Sequence, residues 1–196
     1  MKNKKLLLRL LLVSLLGWCA VSLAADLSEL ILVAKPHFRD ELYGSTILVV
    51  REIAPDQHVG FIINRPTRFS LAKMFPEHAP SQKVIDPLYL GGPVNPQAIF
   101  ALVQRQDNPG GNSVEILPGL FATFDGATVD RIIEREPEHA RFVAGLVAWR
   151  SGELREELKR DLWYVLEPDA ALVLRKPTEG LWEELVRRSE RAANAI

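Results

Sequence analysis

The sequence predicts an α+β domain with a mixed β-sheet, and two observations support that prediction. Short aliphatic runs typical of buried strands recur along the chain, the first at 30–34 and 46–50. Amphipathic stretches typical of helices lie among them, but without the regular strand–helix–strand alternation of a doubly wound parallel sheet. No repeat or low-complexity linker divides the chain, so residues 25–196 are expected to form one domain.

The first 24 residues have the features of a secretory signal peptide. Basic residues precede an almost unbroken apolar run at 6–16, and small residues favour cleavage between Ala24 and Ala25. We therefore expect residues 1–24 to direct the protein to the periplasm or the medium. An uncleaved membrane anchor is the alternative, since the apolar run approaches the ~20 residues that a membrane helix needs. Acylation at Cys19 is disfavoured by the bulky residue before it.

Without this segment the chain is acidic and contains no cysteine. Residues 25–196 carry 20 Lys and Arg against 25 Asp and Glu, a formal charge of −5. Because Cys19 is the only cysteine, the remaining domain has no disulfide, thiol nucleophile or zinc-binding thiolate. A hydrophobic core must stabilise it, and a chain of this length can build one. The negative charge disfavours nucleic acid as a partner, since such binding depends largely on phosphate neutralisation.

In the first half of the domain the pattern predicts strands with one short helix. Ser70 is a capping residue and Pro76 a stop, so the stretch between them suits one or two helical turns. The polar segment 104–113 is expected to be a hairpin-like loop. The predicted strands are 30–34, 46–50, 58–63, 87–90, 99–103 and 114–117.

The second half is expected to contain three helices and three strands. Helices are predicted at 125–134, at 151–158 and after a Thr178 cap, and the last two have an apolar face of helical spacing. The predicted strands are 141–149, 162–166 and 170–174.

Two segments with glycine and proline, GFIINRP at 60–66 and YLGGPV at 89–94, each run from a strand into a shaped turn. Two further motifs accompany them: AKP at 34–36 followed by Asp40 and Ser45, and AGLVAWRSGEL at 144–154 ahead of Trp163. In this order, across residues 28–190, the four motifs resemble the YqgE/AlgH family.

The resemblance implies a mixed sheet curled into a pseudo-barrel and flanked by helices. It implies no established activity, ligand or cofactor, although the AlgH name carries an association with transcriptional control. The chain departs from the family pattern around Trp149, where Ala148 and Glu153 replace the usual residues. Its export signal also departs from the pattern, and a periplasmic protein would not meet DNA. A transcriptional regulator therefore remains only as an alternative that the signal disfavours.

The two turns supply the candidate ligand-binding residues Asn64, Arg65, Gly91 and Gly92. Glycine permits close backbone approach and arginine binds planar anions with two parallel hydrogen bonds, so together they could form an anion pocket. The competing interpretation is structural, with Asn64 closing a turn and the glycines forming a bend. Arg65 is the stronger functional candidate, because a turn does not require arginine.

No catalytic constellation, cofactor motif or metal-binding motif emerges. The histidines lack metal-ligand spacing. An enzyme acting on a small anionic ligand, using Arg65 with His37, Asp40 or Ser45, is the alternative hypothesis. We favour a non-catalytic binding or regulatory domain whose partner is a protein or a small anionic ligand. The sequence leaves its oligomeric state open, and only the N-terminal segment suggests contact with a membrane.

Overall fold

The computed structural model describes residues 27–195 and confirms the α+β prediction. The strands are β1 (Glu29–Ala34), β2 (Ile47–Ala54), β3 (Gln57–Ile62), β4 (Pro66–Ser70), β5 (Pro87–Leu90), β6 (Val94–Gln104), β7 (Val114–Leu117), β8 (Leu120–Thr123), β9 (Ala140–Trp149) and β10 (Trp163–Leu166). The helices are α1 (Leu71–Met74), α2 (Gly126–Arg135), α3 (Glu153–Lys159), α4 (Ala170–Leu174) and α5 (Leu181–Ala193), with 3-10 turns at Ala79–Lys83 and Pro137–His139. The segment 1–24, with its predicted signal peptide, lies outside the described residues.

The strands form one mixed, mainly antiparallel sheet in the order β10-β1-β2-β3-β9-β6-β8-β7. Strand β5 runs parallel to β9 and carries β4 on its other side. The sheet curls, so that β7 packs against β1 and β2. This curl produces the predicted pseudo-barrel and places β4 at a free margin.

Alternate residues of the strands face separate apolar cores, as the period of a strand requires. In β1, Ile31 and Val33 point into the main core, which α4 and α5 close, whereas Leu30 and Leu32 point towards α3. A third core lies between α1, α2 and the outer face of β6, β8 and β9. Helices α1 and α2 cover only part of this outer sheet face, so Ala144 at its margin is only partly buried.

The prediction of a strand at 170–174 is wrong, because these residues form α4. The carboxylate of Asp169 accepts a hydrogen bond from the Leu172 amide at 3.0 Å and caps the helix. Alanine and leucine then favour the helical backbone. Helix α5 also differs from expectation, since it begins after Gly180, not at a Thr178 cap.

The prediction that segment 104–113 forms a hairpin-like loop is also wrong. This segment joins β6 to β7, but β8 lies between those strands in the sheet. The tight hairpin joins β7 to β8 instead, with Gly119 at a φ of 73°. Strands β4 and β8 were not predicted. Strand β4 is rich in polar residues, and β8 follows β7 after only two residues.

No helix within residues 27–195 combines the length and the apolar character needed to span a membrane.

Candidate functional site

The two sequence motifs that end in turns lie side by side in the structure. Pro66 pairs with Tyr89 where β4 meets β5. The Leu90 amide donates to the Arg65 carbonyl at 2.8 Å, and the Ile62 amide donates to the Gly91 carbonyl at 2.8 Å. The backbone therefore joins the turns directly.

The side chains of Asn64 and Arg65 reach across to the turn that precedes β2. Asn64 Oδ1 accepts from the Ile47 amide at 2.8 Å, and its Nδ2 donates to the Ser45 carbonyl at 2.9 Å. Arg65 Nη2 donates to the Gly44 carbonyl at 2.6 Å. These bonds hold Ser45, whose φ of 59° lies in the left-handed region.

Gly91 and Gly92 are buried where two backbone segments cross. A Cβ at Gly91 would lie 2.3 Å from the Gly145 carbonyl oxygen, and one at Gly92 would lie 2.3 Å from the Leu146 carbonyl group. The Gly91 amide already donates to the Ala144 carbonyl at 2.8 Å. These glycines thus allow β5 to pass β9 closely. An anion-binding role for the two turns remains a prediction.

The residues of the enzyme hypothesis make separate local contacts. Asp40 Oδ1 accepts from the amides of Leu42 and Tyr43, each at 2.8 Å, which closes a turn. Within residues 27–195, no hydrogen bond or ion pair joins the side chains of His37, Asp40, Ser45 and Arg65 to one another. In the same range, no group of His, Asp and Glu is arranged to hold a metal ion.

We predict that Asn64→Ala destabilises the domain by about 1–3 kcal/mol, because the partly buried Ile47 amide loses its acceptor. Urea unfolding followed by tryptophan fluorescence measures this change. Asn194→Ala is the matched control, since the side chain of that exposed asparagine makes no hydrogen bond to another residue of 27–195. Equal midpoints for the two variants would contradict the structural role of Asn64.

A carboxylate held by two tryptophans was not foreseen from the sequence. Glu157 Oε2 accepts from Trp149 Nε1 at 3.0 Å and from Trp163 Nε1 at 2.9 Å. These residues and Tyr43 line a cavity of about 170 Å³. Burial raises the pKa of the Tyr43 phenol, and the negative charges of Glu157 and Asp40 add to the rise. The indole hydrogen bonds fix α3 against the sheet. Sequence spacing puts Trp149 and Glu157 in different elements and gives no sign of the contact.

An apolar surface surrounds α1 and the margin of the third core. Two adjoining grooves, of about 460 and 420 Å³, share Ile99. The first groove has an apolar lining that includes Phe69, Met74, Leu88, Leu90 and Ala144, and no ionisable side chain lines it. The second is lined by Leu71, Phe75, Phe124, Val129 and Ile133, with His78, Ser81 and Asp130 as its polar side chains. We call the two grooves together the apolar face.

Large side chains of the apolar face remain open to solvent. Phe69 is 49% exposed, Met74 41%, Phe75 43% and Phe124 57%. Exposed aromatic residues grouped around grooves are typical of interaction sites in soluble proteins. The prediction of a short helix within 70–75 was correct, but the sequence did not show that the apolar side chains of this helix are exposed to solvent.

The charges beside the apolar face form no ion pairs within the described residues. The Arg68 guanidinium lies 5.4 Å from the centre of the Phe69 ring, at the rim of the first groove. Within residues 27–195, neither Arg68 nor Lys73 of α1 forms an ion pair with a carboxylate, and Asp130 forms none with a cation. All three side chains are exposed.

Comparisons with known proteins place most of the described domain in one family. The AlgH-like family model matches residues 31–193. A UPF0301 protein of Chlorobium luteolum is 30% identical over 160 residues, 80% of this chain and 82% of that protein. A UPF0301 protein of Parabacteroides distasonis is 28% identical over 159 residues, 80% of this chain and 79% of that protein.

Two solved structures share the fold. The solution structure of the AlgH protein from Pseudomonas aeruginosa matches with a TM-score of 0.68 and 25% identity, covering 82% of this chain and 87% of that one. The crystal structure of protein DIP2367 from Corynebacterium diphtheriae matches with a TM-score of 0.67 and 22% identity, covering 82% and 86%. The family model spans most of the domain that the sequence motifs define, and the chain belongs to the AlgH-like family.

Proposed function

We propose that this protein is a non-catalytic binding domain that docks an apolar, acid-bearing segment of a partner protein on the apolar face. The observation that supports this proposal is the group of exposed apolar side chains, Phe69, Met74, Phe75 and Phe124, around two adjoining grooves. Burying such side chains against a partner supplies the main driving force of association.

The dimensions of the grooves suit several side chains of a protein segment. Each volume lies in the range of about 300–1,000 Å³ that is usual for sites binding compact ligands. The two grooves adjoin at Ile99, so one continuous segment can place side chains in both. Among residues 27–195, β4 pairs only with β5, which leaves its other edge open beside the first groove. An extended segment can use such an edge.

Charge complementarity favours an acidic residue in this segment. Arg68 and Lys73 are exposed cations that pair with no carboxylate in the described part of the chain, and the net charge of the domain is negative. A protein segment with an acid next to its apolar side chains complements both features. An anionic membrane surface fits less well, because Asp130 lines the second groove. In this proposal Asn64, Arg65, Gly91 and Gly92 support β4 and β5 and do not contact the partner.

The proposal is tested with peptides selected from a random library displayed on phage, using protein purified from expression of the full chain. We expect apolar peptides with an acidic residue, and we expect Phe69→Ser combined with Phe124→Ser to raise their Kd more than about tenfold. Fluorescence anisotropy measures the Kd. Ile85→Ser combined with Val165→Ser is the matched control, since these apolar residues are exposed outside the grooves.

The outcomes of this selection separate the possible occupants. Equal Kd values for the groove variant and the wild type would contradict the proposal, as would a failure to select any peptide. Binding to phosphatidylglycerol vesicles that depends on Phe69 and Phe124, without peptide binding, would assign the face to a membrane instead. A dimer that dissociates in the groove variant would assign it to a second copy of the chain.

We further propose that the domain acts outside the cytoplasm, on the basis of the signal peptide predicted at residues 1–24. Cell fractionation with intact-mass measurement tests this location. A periplasmic species beginning at Ala25 is expected. A full-length species in the membrane would indicate an uncleaved anchor, and a full-length cytosolic species would contradict export.

A further inference from the structure

We propose that the apolar face orients its partner segment by charge, with an acidic residue at the β4 end and a basic residue at the α2 end. This inference rests on the proposed docking function and adds the order in which acidic and basic residues occur along the partner segment. It makes Arg68, Lys73 and Asp130 the residues that determine specificity.

The two grooves differ in the charge beside them. Ile99 separates the first groove, which has Arg68 stacked on Phe69 at its rim, from the second groove, which has Asp130 in its lining. Lys73 lies on α1, which contributes Met74 to the first groove and Leu71 and Phe75 to the second. Arg68 therefore gives the first groove a positive rim, and Asp130 gives the second groove a negative charge in its lining.

The negative end is reinforced along α2. Asp130 is exposed and has no cation partner among residues 27–195, and Glu134 follows it one helical turn later. The two carboxylates have the same sign, so neither neutralises the other. Arg131, the next residue, is directed elsewhere, since its guanidinium donates to the Pro109 carbonyl and the Thr128 hydroxyl, each at 3.0 Å. A cation on the partner segment would form an ion pair with these carboxylates.

Such charges select an orientation more than they add affinity. An exposed ion pair contributes little on its own, because solvent and salt screen it. Reversing the segment, however, replaces two attractive contacts with two repulsive ones. Repulsion of the wrong arrangement is a common source of specificity at interfaces. The apolar grooves would then supply the affinity and the charges would supply the direction.

The test uses two synthetic peptides that share one apolar core taken from the selected peptides. One carries two Asp before the core and two Lys after it, and the other carries the same residues in reverse. We expect one peptide to bind about fivefold more tightly than the other at low salt, with the difference reduced at high salt. The variant R68E/K73E/D130K should prefer the opposite peptide.

The outcomes distinguish this inference from the docking proposal. Equal Kd values for the two peptides, or an unchanged preference in the triple variant, would overturn the charge-based orientation while leaving docking intact. Absence of binding by either peptide would overturn docking itself. The control variant R187E/R188E/E190K makes similar changes on α5 and should leave the preference unchanged.

Discussion

Gly145→Ala is expected to abolish stable folding. The φ of Gly145 is 73°, and an added Cβ would lie 2.3 Å from the Gly92 carbonyl oxygen and 2.9 Å from the Val94 carbonyl oxygen. Both oxygens are backbone atoms, one between β5 and β6 and the other at the start of β6, so no side-chain rotation can relieve the contact. The left-handed conformation alone costs an alanine about 1–2 kcal/mol, and the overlap adds to it. We expect a total above about 4 kcal/mol, a large fraction of the stability of a typical domain.

Gly180→Ala separates the effect of conformation from that of overlap. Gly180 has a similar φ of 71°, but apart from its chain neighbours and its own helix backbone no atom of residues 27–195 lies within 4 Å of an added Cβ. This variant should lose only about 1–2 kcal/mol and should remain folded. Circular dichroism and urea unfolding measure both variants. Equal losses for the two variants would contradict the close crossing of β9 with the segment after β5.

Arg141→Ala is expected to destabilise the domain by about 3–5 kcal/mol. Arg141 is only 1% exposed, and Nη1 and Nη2 donate to the carbonyls of Ile63 and Arg175 at 2.5 and 2.6 Å. Its guanidinium lies 4.1 Å from the centre of the Tyr89 ring. The alanine variant leaves a cavity and two carbonyls without their donor.

Burial also lowers the pKa of the Arg141 guanidinium, because an apolar environment disfavours the charged form. Two carbonyl oxygens and an aromatic face offset this cost. The unfolding free energy of Arg141→Lys should lie between those of the wild type and Arg141→Ala. A single ammonium cannot reproduce the pair of hydrogen bonds that the guanidinium donates to the two carbonyls. The control Arg150→Ala removes an exposed guanidinium and should change the unfolding free energy by less than about 0.5 kcal/mol. An unchanged unfolding free energy in Arg141→Ala would show that the residue does not link β3, β9 and the end of α4.

The parts of the fold that follow local patterns were predictable. The aliphatic runs of β1, β2, β3 and β9 are flanked by turn residues, and their strands formed as expected. The AALVL run of α4 was not predictable in this way, because a short apolar run fits a buried strand and a buried helix equally well. Its conformation depends on the cap that Asp169 supplies.

The buried position of Arg141 depends on topology and not on local sequence. A basic residue at the start of a strand is normally expected at the surface. Here β9 lies in the middle of the sheet, so its first residues are enclosed by α4 and by the end of β3. Only the assembled sheet brings the two carbonyls to the guanidinium.

In the candidate sites, too, some features follow from the local sequence and others depend on the assembled fold. The anion-pocket hypothesis required the two turns to lie beside each other, as they do in the structure, but the sequence could not show that Arg65 contacts the Gly44 carbonyl. The apolar face escaped prediction for a related reason. The sequence indicates which side of α1 is apolar, whereas the exposure of Phe69 and Phe75 depends on how far the helical layer extends over the sheet.

The most direct test of the docking proposal is an amide-NMR titration of the wild-type protein with a selected peptide. We expect the largest chemical-shift changes in β4, in α1 and around Phe124, just before α2. Changes centred on Arg65 and Gly91, or on the cavity beside Glu157, would contradict the docking proposal and move the binding site to those residues.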